Sequence, residues 1–192
     1  MQACRISADR IACRRGERML FAGLSLVLGA GQALQIGGAN GTGKSSLLRM
    51  LAGLLESFAG RIERSGAVAL LDERPALDPA LPLGEALHFW QRLDRCAEDY
   101  TARLGLDRLL DVPVRFLSTG QKKRAALARM LGQQAPIWLL DEPLNGLDAR
   151  GIGLVEELAA EHCRSGGIAV IASHQPFAMA DLQRIELADF TP

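Results

Sequence analysis

A parallel α/β sheet flanked by helices is the fold class this sequence predicts, and three observations predict it. Short apolar stretches of strand type alternate with stretches of helical periodicity. A glycine-rich run ending in Lys44-Ser45 lies between one such strand and one such helix. A second apolar strand ends in two adjacent acids, Asp141 and Glu142.

The elements follow in order. Ala3-Cys4-Arg5-Ile6-Ser7 and Ile11-Ala12-Cys13 read as weak strand. Leu24-Ser25-Leu26-Val27-Leu28 alternates and meets Gly29-Ala30-Gly31, a strand entering a turn. Gln32-Ala33-Leu34-Gln35-Ile36 is a further strand, and 47–55 continues with helical periodicity and good helix formers. The stretch 83–131 reads as mostly helical and holds Trp90, Tyr100 and the segment 118–130. After it come a buried-type strand at 137–140, a helix over 148–164 and a strand at 168–172. A short helix over 176–182 and a last strand at 184–187 complete the pattern. At about 150 residues per domain, the 192 residues make one domain with 83–131 as a helical lobe.

Composition narrows the class. Lys plus Arg and Asp plus Glu each total 22, a formal net charge of zero that argues against a general nucleic-acid binder. No apolar run approaches the roughly 20 residues that cross a bilayer, so a membrane role is expected to come through a partner. The beginning of the chain lacks the apolar core of a signal peptide. Cys4, Cys13, Cys96 and Cys163 are scattered without metal-ligand spacing and read as reduced, unpaired thiols. Lysine is confined to Lys44, Lys122 and Lys123.

Gly38-Ala39-Asn40-Gly41-Thr42-Gly43-Lys44-Ser45 matches G-x-x-x-x-G-K-[ST] in the required context, after a strand and opening a helix. Glycines let backbone N–H groups turn inward around phosphates, where the positive end of the helix adds to the field. Lys44 would reach the β- and γ-phosphates, and the Ser45 hydroxyl would ligate Mg²⁺. At the end of Ile137-Trp138-Leu139-Leu140, Asp141 can hold the same ion through water, and Glu142 can act as general base toward the attacking water. Together the two motifs indicate a P-loop NTPase.

Between them lies Leu117-Ser118-Thr119-Gly120-Gln121, which resembles the ABC-ATPase signature LSGGQ with Thr119 at the first glycine. Ser118 can cap a helix whose free N–H groups, with that of Gly120, face a γ-phosphate held by another subunit. Leu144-Asn145-Gly146-Leu147-Asp148 resembles the family's D-loop, with Asp148 as the matching acid. Ala172-Ser173-His174 looks like the switch histidine, whereas His88 and His162 read as structural. The ending 166–176, Asp111-Val112-Pro113-Val114 ahead of the signature, and the shortness of the chain are similar to the ATP-binding subunits of cytochrome c maturation, the haem-exporter ATPases.

The resemblance implies a P-loop NTPase of ABC-ATPase type: a parallel α/β core, a small antiparallel N-terminal sheet and a helical signature lobe. It implies ATP and Mg²⁺ as cofactors, with Glu142 and His174 catalytic and Ser45 and Asp141 on the metal. Gly38, Asn40, Gly41, Thr42, Gly43, Lys44, Ser45 and Ser46 would hold nucleotide, and Ser118, Gly120, Gln121 and Asp148 would complete the nucleotide sites. The implied partners are a second copy, head to tail, and an integral membrane subunit of CcmB type, with CcmC- and CcmD-like subunits as further candidates. No nucleic acid is implied. The implied location is the cytoplasmic face of the bacterial inner membrane. The implied task is haem export, or release of a haem-loaded chaperone, in c-type cytochrome biogenesis. The ATPase of another small ABC transporter and a soluble ABC-type nucleotide switch are the alternatives.

Two positions depart from the family pattern. Arg15 stands where most ABC ATPases stack an aromatic on adenine; arginine can stack through its planar cation or remain a solvated surface residue. Alignment of Pro75 and Leu87 puts Arg74 at the Q-loop glutamine, and a cation there cannot ligate Mg²⁺. Asp72 or Glu73 would serve if the loop shifts.

Overall fold

A computed structural model describes residues 4–191. Three strands form an antiparallel sheet in the order β2-β1-β4: β1 (Arg5–Arg15), β2 (Arg18–Gly29) and β4 (Ala59–Ser65). The central sheet is parallel, in the order β5-β6-β7-β3-β8. Its members are β3 (Ala33–Gly37), β5 (Val68–Leu71), β6 (Ile137–Asp141), β7 (Ile168–Ala172) and β8 (Gln183–Glu186). Four helices accompany them: α1 (Lys44–Ala52), α2 (Leu83–Asp94), α3 (Thr119–Gly132) and α4 (Ala149–Arg164).

The period of two along the central strands sorts their side chains into two cores. Leu34, Ile36, Ile137, Leu139, Ile168 and Val170 pack with α1 and the antiparallel sheet through Leu47, Leu51, Ile6 and Leu24. Trp138, Leu140, Ala169 and Ile171 face the opposite way, toward Leu83 and Leu87 of α2, Leu127 of α3 and Leu158 of α4. Every residue of β3, β6 and β7 is buried, as a parallel sheet covered on both faces requires.

Several expected elements shift. The two weak N-terminal strands are one strand, β1, whose pairing slips where Arg10 takes φ +45°. β4 and β5 lie between 55 and 83, where no strand is expected: β4 is a largely exposed, charged edge strand and β5 has only four residues. Within 83–131 the helical content is α2 and α3, and 95–117 consists of turns with two short 3-10 segments, Asp107–Leu109 and Val114–Phe116. Gly105 at φ +62° and Pro113 interrupt any helix there. The expected helix over 176–182 is absent. Asp181 takes φ +55°, outside the helical region, and the Phe177 and Ala178 amides are held by Gln35 Oε1 of β3 and Glu156 Oε1 of α4.

Gly60 sits where β4 meets the slip in β1. Its φ is +80°, and an added Cβ would run into the carbonyl oxygens of Asp9 and Arg10. Gly16, in the β1–β2 hairpin, has φ +57° and open space around it. Gly16→Ala is expected to cost about 1 kcal/mol, the conformational term alone. Gly60→Ala is expected to cost at least about 2 kcal/mol, because backbone must also move. Urea unfolding of the two variants against the parent checks the difference.

Candidate functional site

The parallel order brings the C-terminal ends of β3, β6 and β7 to one edge of the sheet, with β6 beside β7 and β7 beside β3. Ligands of open α/β sheets gather at such an edge. Gly37 leaves β3 beside the exposed Glu186 carboxylate of β8, which a Cβ at Gly37 would push aside. The chain then turns through Gly38, Gly41 and Gly43 at φ +135°, +81° and +112°, conformations that suit glycine. Asn40 and Gly41 form the exposed tip, and the Thr42 hydroxyl closes the turn by donating to the Ala39 carbonyl at 2.9 Å.

Lys44, the first residue of α1, is 5% exposed and folds back into this loop. Its ammonium donates to the carbonyl oxygens of Gly38 at 2.6 Å and Ala39 at 3.2 Å. It also lies 3.4 Å from Glu142 Oε1, an ion-pair distance without an aligned hydrogen bond. Lys44 therefore occupies with protein oxygens the place from which it could reach phosphate oxygens. The free N–H groups at the start of α1 and the Lys44 ammonium are the groups that favour an anion here, and the two loop carbonyls hold that ammonium in place.

Asp141 closes β6 and is 6% exposed. Burial pushes its carboxyl up from the ordinary range, the Ser45 hydroxyl opposes that by hydrogen bonding, and the carboxylates of Glu142 and Glu73 add to it. Its Oδ1 has no partner. An orphaned carboxylate oxygen beside an exposed serine hydroxyl fits a hard divalent cation that takes oxygen ligands. Glu142 follows in the left-handed region at φ +44°, its amide donating to the Ala172 carbonyl at 2.8 Å. Its Oε2 meets His174 Nδ1 at 2.9 Å, so the residue after β6 and the histidine beyond β7 converge with Lys44.

The remaining expected residues divide. Ser118 caps α3: its Oγ accepts from the Gln121 amide at 3.3 Å, while Gln121 Oε1 accepts from the Ser118 amide at 2.8 Å. Gln121 thus spends its side-chain oxygen on the cap. Asp148 caps α4 by accepting from the Gly151 amide at 2.8 Å, so its carboxylate is also engaged within the chain. Ser46 faces the Cys13 thiol, which burial pushes up. Arg15 is exposed at the end of β1, near enough to Cys13 for its charge to act on that thiol. Of the loop acids, Glu73 acts on Asp141, whereas Arg74 lines a separate recess with Ala126 and Arg129.

Two features were not anticipated from sequence. Lys123 donates from Nζ to the Glu142 carbonyl at 3.1 Å; the only hint is a pair of lysines in a lysine-poor chain. Gln35, 6% exposed, donates to the Gln175 carbonyl at 2.7 Å, and Gln175 Nε2 donates to Asn145 Oδ1 at 3.3 Å, joining the loops after β6 and β7. A cleft of about 550 Å³ opens beside them, lined by Gly38, Ala39, His174, Arg184 and Glu186 among others.

The profile of the family described as ABC transporter matches residues 21–145. The chain is 57% identical over 192 residues to the cytochrome c biogenesis ATP-binding export protein CcmA of Novosphingobium aromaticivorans, covering 100% of both. It is 50% identical over 189 residues to the protein of the same name from Zymomonas mobilis, covering 97% of this chain and 86% of that one. Among solved structures, an ATP-binding subunit of an ABC transporter superposes with a TM-score of 0.78 at 22% identity, over 88% of this chain and 79% of the other. Part of the cbiONQ ABC transporter complex of Clostridium perfringens superposes with a TM-score of 0.69 at 24% identity, over 88% and 78%. At those identities the structures bear on fold alone.

The raised Asp141 carboxyl has a stability consequence. It holds its proton more tightly in the fold than in the unfolded chain, so its contribution diminishes as pH rises from the ordinary carboxylate range through the raised value. Asp141→Asn is therefore expected to melt at a higher temperature than the parent near neutral pH. The gap should narrow under mildly acidic conditions, where the parent's carboxyl takes up its proton. Calorimetry at the two pH values reads both signs.

Proposed function

This chain belongs to the ABC transporter family, in the group of cytochrome c biogenesis ATP-binding export proteins, and on that premise we propose that it is the ATP-hydrolysing subunit of a c-type cytochrome biogenesis complex. The observation that carries the ATPase reading is the convergence of Lys44, Asp141, Glu142 and His174 at one sheet edge. The cytochrome c part rests on the identity to the Novosphingobium protein across the whole of both chains.

The geometry suggests how the residues work. Lys44 exchanges the carbonyls of Gly38 and Ala39, and its ion pair with Glu142, for the β- and γ-phosphate oxygens of ATP. That exchange frees Glu142 Oε1 to accept a proton from the attacking water as its oxygen bonds to the γ-phosphorus. The bond from that phosphorus to the β-bridging oxygen breaks, and ADP leaves with the electron pair. His174 fixes the other carboxylate oxygen and stands at the same edge, within reach of the released phosphate. Ser45 and Asp141 would hold Mg²⁺, which supplies charge neutralisation at the β- and γ-oxygens. The remaining residues of 38–46 would enclose the phosphates, and Arg15, whose charge reaches the Cys13 thiol that Ser46 of α1 also meets, would stack on the base.

Residues 1–192 make one nucleotide-binding domain in this reading, with a helical lobe at about 83–131. Ser118 and Gly120 complete the site of a second copy arranged head to tail, with Gln121 and Asp148 supporting them as helix-cap residues. Among the described residues no helix is long and apolar enough to cross a membrane. The transmembrane part then belongs to a CcmB-like subunit, with CcmC- and CcmD-like subunits as further partners. The chain works at the cytoplasmic face of the bacterial inner membrane, and the cycle drives haem export or the release of a haem-loaded chaperone.

Glu142→Gln is expected to retain ATP binding and lose hydrolysis by about 100-fold or more, the usual worth of a general base. Lys44→Ala is expected to lose both. In cells whose only copy carries either substitution, c-type haem staining should disappear while b-type cytochromes persist. Normal c-type cytochromes with the variant chain expressed would remove the biogenesis role and leave the ATPase reading standing.

A further inference from the structure

We propose that Lys123 is a positioning residue for hydrolysis: it fastens the helix that starts at the signature to the main chain of Glu142, so that events at the helix N-terminus reach the general base of the same chain. This rests on the ATPase reading above.

Lys123 Nζ donates to the Glu142 carbonyl oxygen at 3.1 Å across 19 residues of sequence. Glu142 needs such an anchor, because a non-glycine residue at φ +44° is intrinsically disfavoured and holds only where its surroundings fix it. Its amide is tied to Ala172, and its carbonyl accepts from Lys123 and, at 3.3 Å, from the Asn145 amide. The carboxylate of Glu142 therefore points toward Lys44 and His174 from a backbone pinned on both sides of the peptide unit.

The ammonium is mostly taken out of water, which disfavours its charged form, and the carboxylates of Asp141, Glu73, Asp72 and Glu142 offset part of that loss. With Asp72 and Glu73 it lines a cavity of about 260 Å³ between the loop after β5 and α3. Its neighbour Lys122 lines the same cavity but donates to the Arg115 carbonyl at 3.1 Å rather than to Glu142.

Lys123 shares a helix with Ser118, about one and a half turns from the cap, so movement of the cap is carried to it rigidly. A second fastening lies closer to the cap. A Cβ on Gly120 would stand 2.6 Å from the Gly146 carbonyl oxygen, and one on Gly146 would stand 2.8 Å from Thr119 Cγ2. The start of α3 and the loop after Glu142 thus touch at both ends of one turn. When Ser118 and Gly120 engage nucleotide on a second copy, the displacement of α3 is passed to the Glu142 backbone through Lys123.

The test uses the purified full chain with Lys123→Met, Lys123→Arg and, for comparison, Lys122→Met. Steady-state ATP hydrolysis, melting temperature and nucleotide-free amide hydrogen exchange are measured on each. Lys123→Met should lower kcat by about tenfold or more while KM for ATP stays within about twofold, since the lost interaction orients the base rather than the nucleotide. Its melting temperature should be kept, exchange at 142–147 should quicken without change at 137–141, and Lys123→Arg should recover most of kcat. Lys122→Met should behave as the parent. A Lys123→Met kcat within about twofold of the parent, with unaltered exchange, overturns the proposal. So does a parallel fall of kcat, affinity and melting temperature that arginine does not rescue. A parent no faster than Lys44→Ala would sink the ATPase reading instead, and the exchange at 142–147 would still decide whether Lys123 holds the Glu142 backbone.

Discussion

The buried ammonium of Lys44 is the point from which the candidate site at the sheet edge is organised. It is held by the carbonyls of Gly38 and Ala39 on one side and faces the Glu142 carboxylate on the other. Through that carboxylate it is joined to His174, so three segments far apart in sequence meet around one positive charge. The arrangement depends on strand order. With β7 placed between β3 and β6, the ends that carry the phosphate loop, the two acids and the histidine fall on one edge, where helix N-termini and open strand ends already favour anions.

That edge is held in tension with stability. Asp141 Oδ1 is buried without a partner, and Glu142 Oε1 lacks an aligned hydrogen bond. Unsatisfied buried oxygens cost folding free energy, and a chain selected only to fold would cap or remove them. Two cores on either side of the sheet supply the stabilisation that tolerates this cost, with Ile36, Leu139 and Val170 on one face and Leu127, Leu140 and Leu158 on the other. Each fully buried side chain of this size contributes roughly 1.5–3 kcal/mol, so a few such contacts outweigh the unpartnered Asp141 oxygen and a Glu142 oxygen held by an ion pair alone.

Legibility in the sequence follows from how local the physics is. β3, β6 and β7 stand out because each is a short apolar run bounded by a glycine-rich or acidic turn, and all are buried on both faces. β4 is hidden, since its alternation is buried under charged edge positions such as Arg61, Glu63 and Arg64. The segment 176–182 has helix-compatible composition, yet it runs irregularly, with Asp181 at φ +55° and its first amides bound by Gln35 of β3 and Glu156 of α4, tertiary contacts that no local pattern encodes. The site divides in the same way. Lys44, Ser45, Asp141, Glu142 and His174 are readable from motifs, but the side-chain cap made by Gln121 and the contact from Lys123 to the Glu142 carbonyl exist only once α3 is packed against the loop after β6. In the loop after β5, alignment directs attention to Arg74, while the folded loop turns Glu73 toward Asp141 and Arg74 elsewhere.

A site shared between two copies is tested most directly by mixing two inactive variants. Lys44→Ala disables the phosphate loop and Ser118→Arg disables the signature cap, so each alone should fail to hydrolyse ATP. In a mixed dimer the intact phosphate loop of one copy faces the intact signature of the other, and the 1:1 mixture should regain measurable hydrolysis. A mixture as inactive as its components, with dimers formed, would contradict a head-to-tail site and return all of the chemistry to a single chain.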